Sequence, residues 1–177
     1  MESFIDMLVG TPAWVWVLLA FLVFRGLQAT RPGLVQPWRL AILPVIFTAL
    51  GIYGLVTVLS GVLPWIIWLV FLAMTYPMGL AMAQRTPVQA DHQNGVMALP
   101  GSWSTLILIL CIFVSKYALG YNLAMNPQLA QEEWFIVVDA GVAGIVAGLF
   151  IGRFVGLLRK YKAAPSQNLL GQGGVPQ

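Results

Sequence analysis

Apolar residues fall in five long blocks separated by short polar breaks. The blocks cover Pro12–Leu27, Leu40–Leu59, Leu63–Met82, Trp103–Met125 and Trp134–Leu158. Each approaches the roughly 20 residues that an α-helix needs to cross a hydrocarbon core. The pattern predicts an all-α bundle of about five transmembrane helices over residues 1–162. The breaks fit that reading. Gly10-Thr11-Pro12 precedes the first block, the polar and proline-bearing Gln28–Arg39 follows it, and Ser60-Gly61 turns the second block into the third. Pro64 falls in the first turn of the third helix, where its missing N–H has no intrahelical partner to lose. Pro77 lies deeper, where a kink is expected.

The longest connection is Gln84–Ser102. Asn94-Gly95 suits a type I′ turn, and the partly alternating Thr86–Ala90 and Val96–Leu99 predict a short hairpin against the membrane surface. From Lys162 onward the chain is rich in Gly, Pro and Gln, a composition that predicts a flexible cytoplasmic tail over residues 163–177. No internal repeat is visible, which argues against an inverted-repeat transporter core.

Composition agrees with the pattern. The 177 residues are 59% hydrophobic and only 8% charged, against roughly 25% charged for a soluble domain. Glu2 and Asp6 occupy the place of a cationic signal-peptide n-region, so the first residues are expected to be retained. Cys111 is the only cysteine, which excludes an internal disulfide. Inside a span it is expected to pack as a small apolar residue.

Charge sets the expected orientation. Of nine basic residues, all but Lys116 fall on one side: Arg25, Arg31, Arg39, Arg85, Arg153, Arg159, Lys160 and Lys162. Glu2, Asp6, Glu132 and Glu133 fall on the other. The positive-inside rule then places the N-terminus outside and the C-terminus in the cytoplasm. Trp14, Trp16, Trp65, Trp68 and Trp134 are expected at the outer boundary, and Trp38 and Trp103 at the inner one.

Lys116 stands well inside the fourth block. A cation at mid-membrane costs at least about 2.5–3.5 kcal/mol on insertion scales, so it calls for a partner or a polar cavity. Asp139 in the fifth block lies at a matching depth, roughly 8–10 Å below the outer boundary at 1.5 Å rise per residue. A short loop makes the two helices antiparallel neighbours, and a Lys116–Asp139 pair follows. It would serve either as a fixed packing element or in an ion or proton relay. The fifth block also carries Gly144, Gly148, Gly152 and Gly156, a stripe that admits close helix approach. It would build intramolecular packing or a homodimer seam. Asp139 and Gly148 fall about 180° apart on the helix, and Arg153, on the Asp139 side, is expected to snorkel to headgroups.

Other chemistry is sparse. His92 is the only histidine. It is expected to be solvated in its loop and is too few for bis-His haem ligation. No Cys/His cluster has zinc spacing, and no P-loop, nucleotide fingerprint or Ser/His/Asp set occurs. No catalytic residue, metal or cofactor is assigned, and nucleic acid is not an expected partner. Arg31, Arg39 and Arg85 would face anionic lipid headgroups.

Arg31–Phe47 (RPGLVQPWRLAILPVIF) and Leu99–Gly120 (LPGSWSTLILILCIFVSKYALG) together resemble a family of small polytopic bacterial inner-membrane proteins defined only as a domain of unknown function. The resemblance rests on a basic loop (Arg31, Arg39) leading to Leu43-Pro44, and on Pro100-Gly101-Ser102-Trp103 ahead of Lys116-Tyr117. The basic loop and proline step are also loosely similar to the CcdC-like proteins, named in connection with cytochrome c biogenesis. The resemblance implies a fold and a location, and no activity.

Three functional classes follow as expectations. The first is a non-enzymatic accessory or assembly component working through contacts with other membrane proteins. The second is a small ion- or proton-coupled transporter or channel-like protein with Lys116 and Asp139 in a polar cavity. The weakest is a lipid-active enzyme using Arg31, Arg39 and Arg85 as a phosphate clamp, which lacks an acidic metal-binding motif.

Overall fold

A computed structural model describes residues 13–169, without the side chains of Trp14 and Ser104. Glu2 and Asp6, two of the acids that set the expected orientation, lie outside the described residues, as does the tail beyond residue 169. The chain forms α1 (Ala13–Thr30), β1 (Gly33–Val35), a 3-10 turn (Pro37–Ala41), α2 (Ile42–Thr57), α3 (Leu63–Gln84), β2 (Gln89–Asp91), β3 (Val96–Leu99), α4 (Trp103–Met125), a second 3-10 turn (Pro127–Gln131) and α5 (Glu133–Ala163).

Four helical stretches are long and apolar enough to cross a membrane: Pro37–Thr57, Leu63–Gln84, Thr105–Met125 and Glu133–Ala163. The apolar part of α1, Val15–Thr30, is shorter. Fold and composition are those of a helical membrane protein.

The helices are not equivalent. In α5, 67% of the apolar window is buried, against 11–22% in the other three. It is the central post, and the others present apolar side chains such as Val17, Val56, Met74 and Val114 outward. Such a surface suits lipid rather than water as solvent. One cluster, Leu22, Phe47, Ile109, Val146 and Phe150, joins α1, α2, α4 and α5. A second, Leu55, Trp68, Ala143 and Ala147, joins α2 and α3 to α5.

The most extensive helix contact is α3 against α5, and the glycine stripe makes it. A Cβ on Gly144 would meet the Trp68 carbonyl, on Gly148 the Leu72 carbonyl and Thr75 hydroxyl, on Gly152 the Tyr76 carbonyl, and on Gly156 the Ala83 side chain. Gly79 answers from α3, where a Cβ would run into the Leu149 carbonyl. The stripe is thus filled by α3 of the same chain. Of the two uses expected for the stripe, intramolecular packing is the one these contacts make. Thr75 Oγ lies 2.8 Å from the Phe71 carbonyl and 3.2 Å from the Ile145 carbonyl, so its one proton is shared across the seam.

Trp68 departs from its expected belt position. It is buried against Leu55, Ala143 and Ala147, because a helix face that packs on small residues leaves space for a large ring. Trp16 and Trp134 at one end, and Trp38 and Trp103 at the other, are exposed.

The all-α expectation also needs amending. The hairpin forms as β2 and β3, and β1 from the supposed loop Gln28–Arg39 pairs antiparallel with β3, giving the order β1-β3-β2. The register sets Leu34 opposite Ala98 and Ala90 opposite Met97. The turn is not type I′, which needs positive φ at both central residues. Only Gly95 has it, at 64°, because the Asp91 carboxylate fixes Asn94 instead, accepting from its backbone N–H at 3.0 Å and its Nδ2 at 2.8 Å.

The start of the expected flexible tail is tied to this sheet. Gln167 N–H donates to the Ala90 carbonyl at 2.8 Å, and Leu169 N–H donates to Asp91 Oδ2 at 3.0 Å. Ala164–Leu169 therefore differ from the sequence expectation. The Ala90 carbonyl and the Asp91 carboxylate on β2 offered them partners that composition could not reveal.

Candidate functional site

The candidate site lies on the seam between α4 and α5, helices that touch each other sparsely. Lys116, midway along α4, reaches Asp139 in the second turn of α5. Its Nζ is 2.5 Å from Oδ1 and also donates to the Asp139 backbone carbonyl at 3.1 Å. Among the described residues this is the one salt bridge. The Asp139 side chain is 11% exposed and that of Lys116 33%, so the carboxylate belongs to the interior and the ammonium reaches in from the rim. Phe113 stacks on Tyr117, with ring centroids 5.9 Å apart, on the α4 turn that carries the lysine. The pair can neutralise an intramembrane charge and fix the rotation of α4.

About 21 Å further along α5, at 1.5 Å per residue, a second polar contact crosses the same seam. Arg153 Nη1 donates to Thr105 Oγ at 2.8 Å. Thr105 is buried and Arg153 half-buried. Headgroup snorkelling described only part of this arginine's surroundings. The missed partner was hard to find because a threonine near a helix start carries no charge signal. Arg153 and Thr105 share a cavity of about 50 Å3 with apolar side chains of α2, α5 and Leu40.

The predicted basic residues sit at the sheet end on separate elements. Arg31 follows α1, Arg85 caps α3, and Arg39 lies over the Trp38 ring at 5.6 Å while its carbonyl accepts from Arg25 Nη2 at 3.0 Å. By sequence, Lys160 figures only as one of the orienting basic residues. Its Nζ donates to the Gln84 and Thr86 carbonyls at 2.6 and 2.8 Å, placing a cation at the negative end of the α3 dipole.

His92 is not simply solvated. Its Nε2 is 3.0 Å from the Ala164 carbonyl, its backbone N–H donates to Ser166 Oγ, and its ring is 4.8 Å from that of Tyr161. Asp91 beside it is fully buried. Its pKa is held below the usual carboxylate value, first by the Asn94 side-chain amide and then by the Asn94 backbone N–H, with burial opposing. Cys111 is exposed on α4 rather than packed in the interior. Among the described residues no three His, Cys, Asp or Glu side chains cluster as a metal site.

The model of a family of unknown function, DUF6622, matches residues 2–167. The chain belongs to that family. Neither a curated protein nor a solved structure matches it, and the CcdC-like similarity is not shown.

Proposed function

We propose that this DUF6622 member is a multi-pass protein of the bacterial inner membrane, N-terminus outside and C-terminus cytoplasmic. It works there as a non-enzymatic accessory or assembly component through its helix surfaces. The observation that carries this reading is the double engagement of Lys116 by the Asp139 carboxylate and carbonyl. A cation held at two points on one residue is a clamp for α4, and a relay group would need freedom to exchange partners.

The orientation part is supported by the sheet end, where Arg39 lies over the exposed Trp38 and Lys160 sits at the C-terminal end of α3. A transporter reading is the alternative. It is favoured by the one-third exposure of the Lys116 side chain, which would give a proton or ion access to the pair.

Reconstitution with a pH-sensitive dye inside the vesicles separates the two. The accessory reading expects no proton flux above empty vesicles, and a charge swap, Lys116→Asp with Asp139→Lys, that recovers folding lost in either single variant. A flux that Lys116→Met abolishes while the protein stays folded would replace it with the transporter reading.

A further inference from the structure

The second polar contact on the α4–α5 seam has an unbalanced charge. Arg153 is half-buried beside apolar walls, and the one salt bridge among the described residues lies elsewhere, between Lys116 and Asp139. Its hydrogen-bond partner, Thr105, is neutral and stands in the first turn of α4. A helix N-terminus carries partial positive charge and N–H groups without intrahelical acceptors. An arginine placed there gains no dipole stabilisation. The guanidinium and its neutral partner line one cavity, and an anion in it would offset the arginine's charge.

The depth is that of a lipid headgroup. Arg153 lies about 30 Å along α5 from Glu133 at 1.5 Å per residue, which equals the usual hydrocarbon thickness. The exposed Trp103, two residues before Thr105, and the exposed Trp38, two before the lining Leu40, mark an interfacial aromatic level. The walls match the rest of a lipid. Leu40, Leu43 and Pro44 line one side, and Phe150, Phe154 and Leu157 the other. The cavity measures about 50 Å3. Since about 10–15 Å3 of this measure holds one water, a group larger than a single water fits beside the guanidinium.

We propose that Arg153 and Thr105 form a binding site for the phosphodiester of an anionic phospholipid. The guanidinium donates charge-assisted hydrogen bonds to phosphate oxygens. The Thr105 hydroxyl accepts from Arg153, which leaves its own proton for the same phosphate. An acyl chain lies along the Leu43 and Phe154 walls. The site stands at the opposite end of the seam from Lys116–Asp139 and is independent of the function proposed above.

The test is a lipid titration of the purified full chain in detergent, read by native mass spectrometry, with phosphatidylglycerol, phosphatidylcholine and inorganic phosphate as separate probes. The expected result is preference for phosphatidylglycerol over phosphatidylcholine. Arg153→Gln should weaken phosphatidylglycerol binding about ten-fold, the worth of one hydrogen bond to a charged group. Arg153→Lys should retain part of it. Equal binding of phosphatidylglycerol by Arg153→Gln and the natural chain overturns the proposal. So does equal affinity for the two lipids, or displacement of the lipid by inorganic phosphate at matching concentration, which would make the site one for a free anion. Should Arg153→Gln not fold, Thr105→Val decides: weakened phosphatidylglycerol binding supports the site, and unchanged binding removes it.

Discussion

The Nζ of Lys116 sits 2.5 Å from Oδ1 of Asp139 and 3.1 Å from the same residue's backbone carbonyl, so one side chain holds two points of α5. The carbonyl contact adds a second direction to the tether. Rotation of α4 about its own axis would break both bonds together. Leu119 and Leu123 of α4 pack beside Phe135 and Ala140 of α5 at the same level, so the pair adds a directional polar tether to an apolar contact.

That geometry predicts coupled energetics. Lys116→Met and Asp139→Asn should each destabilise the protein, and the double variant should be less impaired than the sum. The coupling should exceed about 1 kcal/mol, as for contacting polar residues. Reversible unfolding in mixed micelles measures it. Additive losses would show that the two side chains stabilise the fold independently.

The glycine stripe predicts a sharp positional contrast. Gly148→Ala would drive a methyl group into the Leu72 carbonyl and the Thr75 hydroxyl, and should cost about 1–3 kcal/mol, as overpacking does. Gly54→Ala in α2 meets nothing within 4 Å and should be neutral or stabilising by about 0.5–1 kcal/mol, the usual helix-interior preference for alanine. Thermal unfolding of the two variants side by side checks the pattern.

Docking of Ala164–Leu169 should depend on pH with a defined sign. The Asp91 carboxylate accepts from Asn94 and Leu169, and its pKa is lowered in the fold from 3.8. A depressed folded pKa contributes stability that is fully present well above pH 3.8. The contribution declines as pH falls below that unfolded value and is lost once pH passes the lower folded one. Amide exchange at Gln167 and Leu169 should accelerate over that acid range in the natural chain. In Asp91→Asn it should already be fast at neutral pH.

Lys160 predicts a smaller effect. Lys160→Met removes the cation from the C-terminal carbonyls of α3 and should cost about 0.3–1 kcal/mol, the range for a charge at a helix end. The loss should appear as faster amide exchange in the last turn of α3, with the Gly148 region unaffected.

Much of this protein is written in one dimension. Length and apolarity of the blocks decide that α2–α5 are helices fit for lipid, because a backbone without water must satisfy its hydrogen bonds within each helix. The depth of Lys116 and Asp139 is likewise a matter of counting residues, which is why their pairing is legible before any packing is known. The glycine spacing announces that some helix comes close. It does not name α3, since a small-residue face fits any smooth partner.

Tertiary structure decided the rest. A three-residue strand such as Gly33–Val35 is too short to show a period, and it exists because β3 offers it an edge. The same holds for Gln167, whose N–H finds the Ala90 carbonyl from 77 residues away in a composition typical of free tails. Arg153 acquires Thr105, and with it a charged cavity, only because α4 runs antiparallel along α5. Periodicity and depth belong to single segments and survive in the sequence. Partner choice depends on which surfaces meet, and that is fixed only when all five helices pack at once.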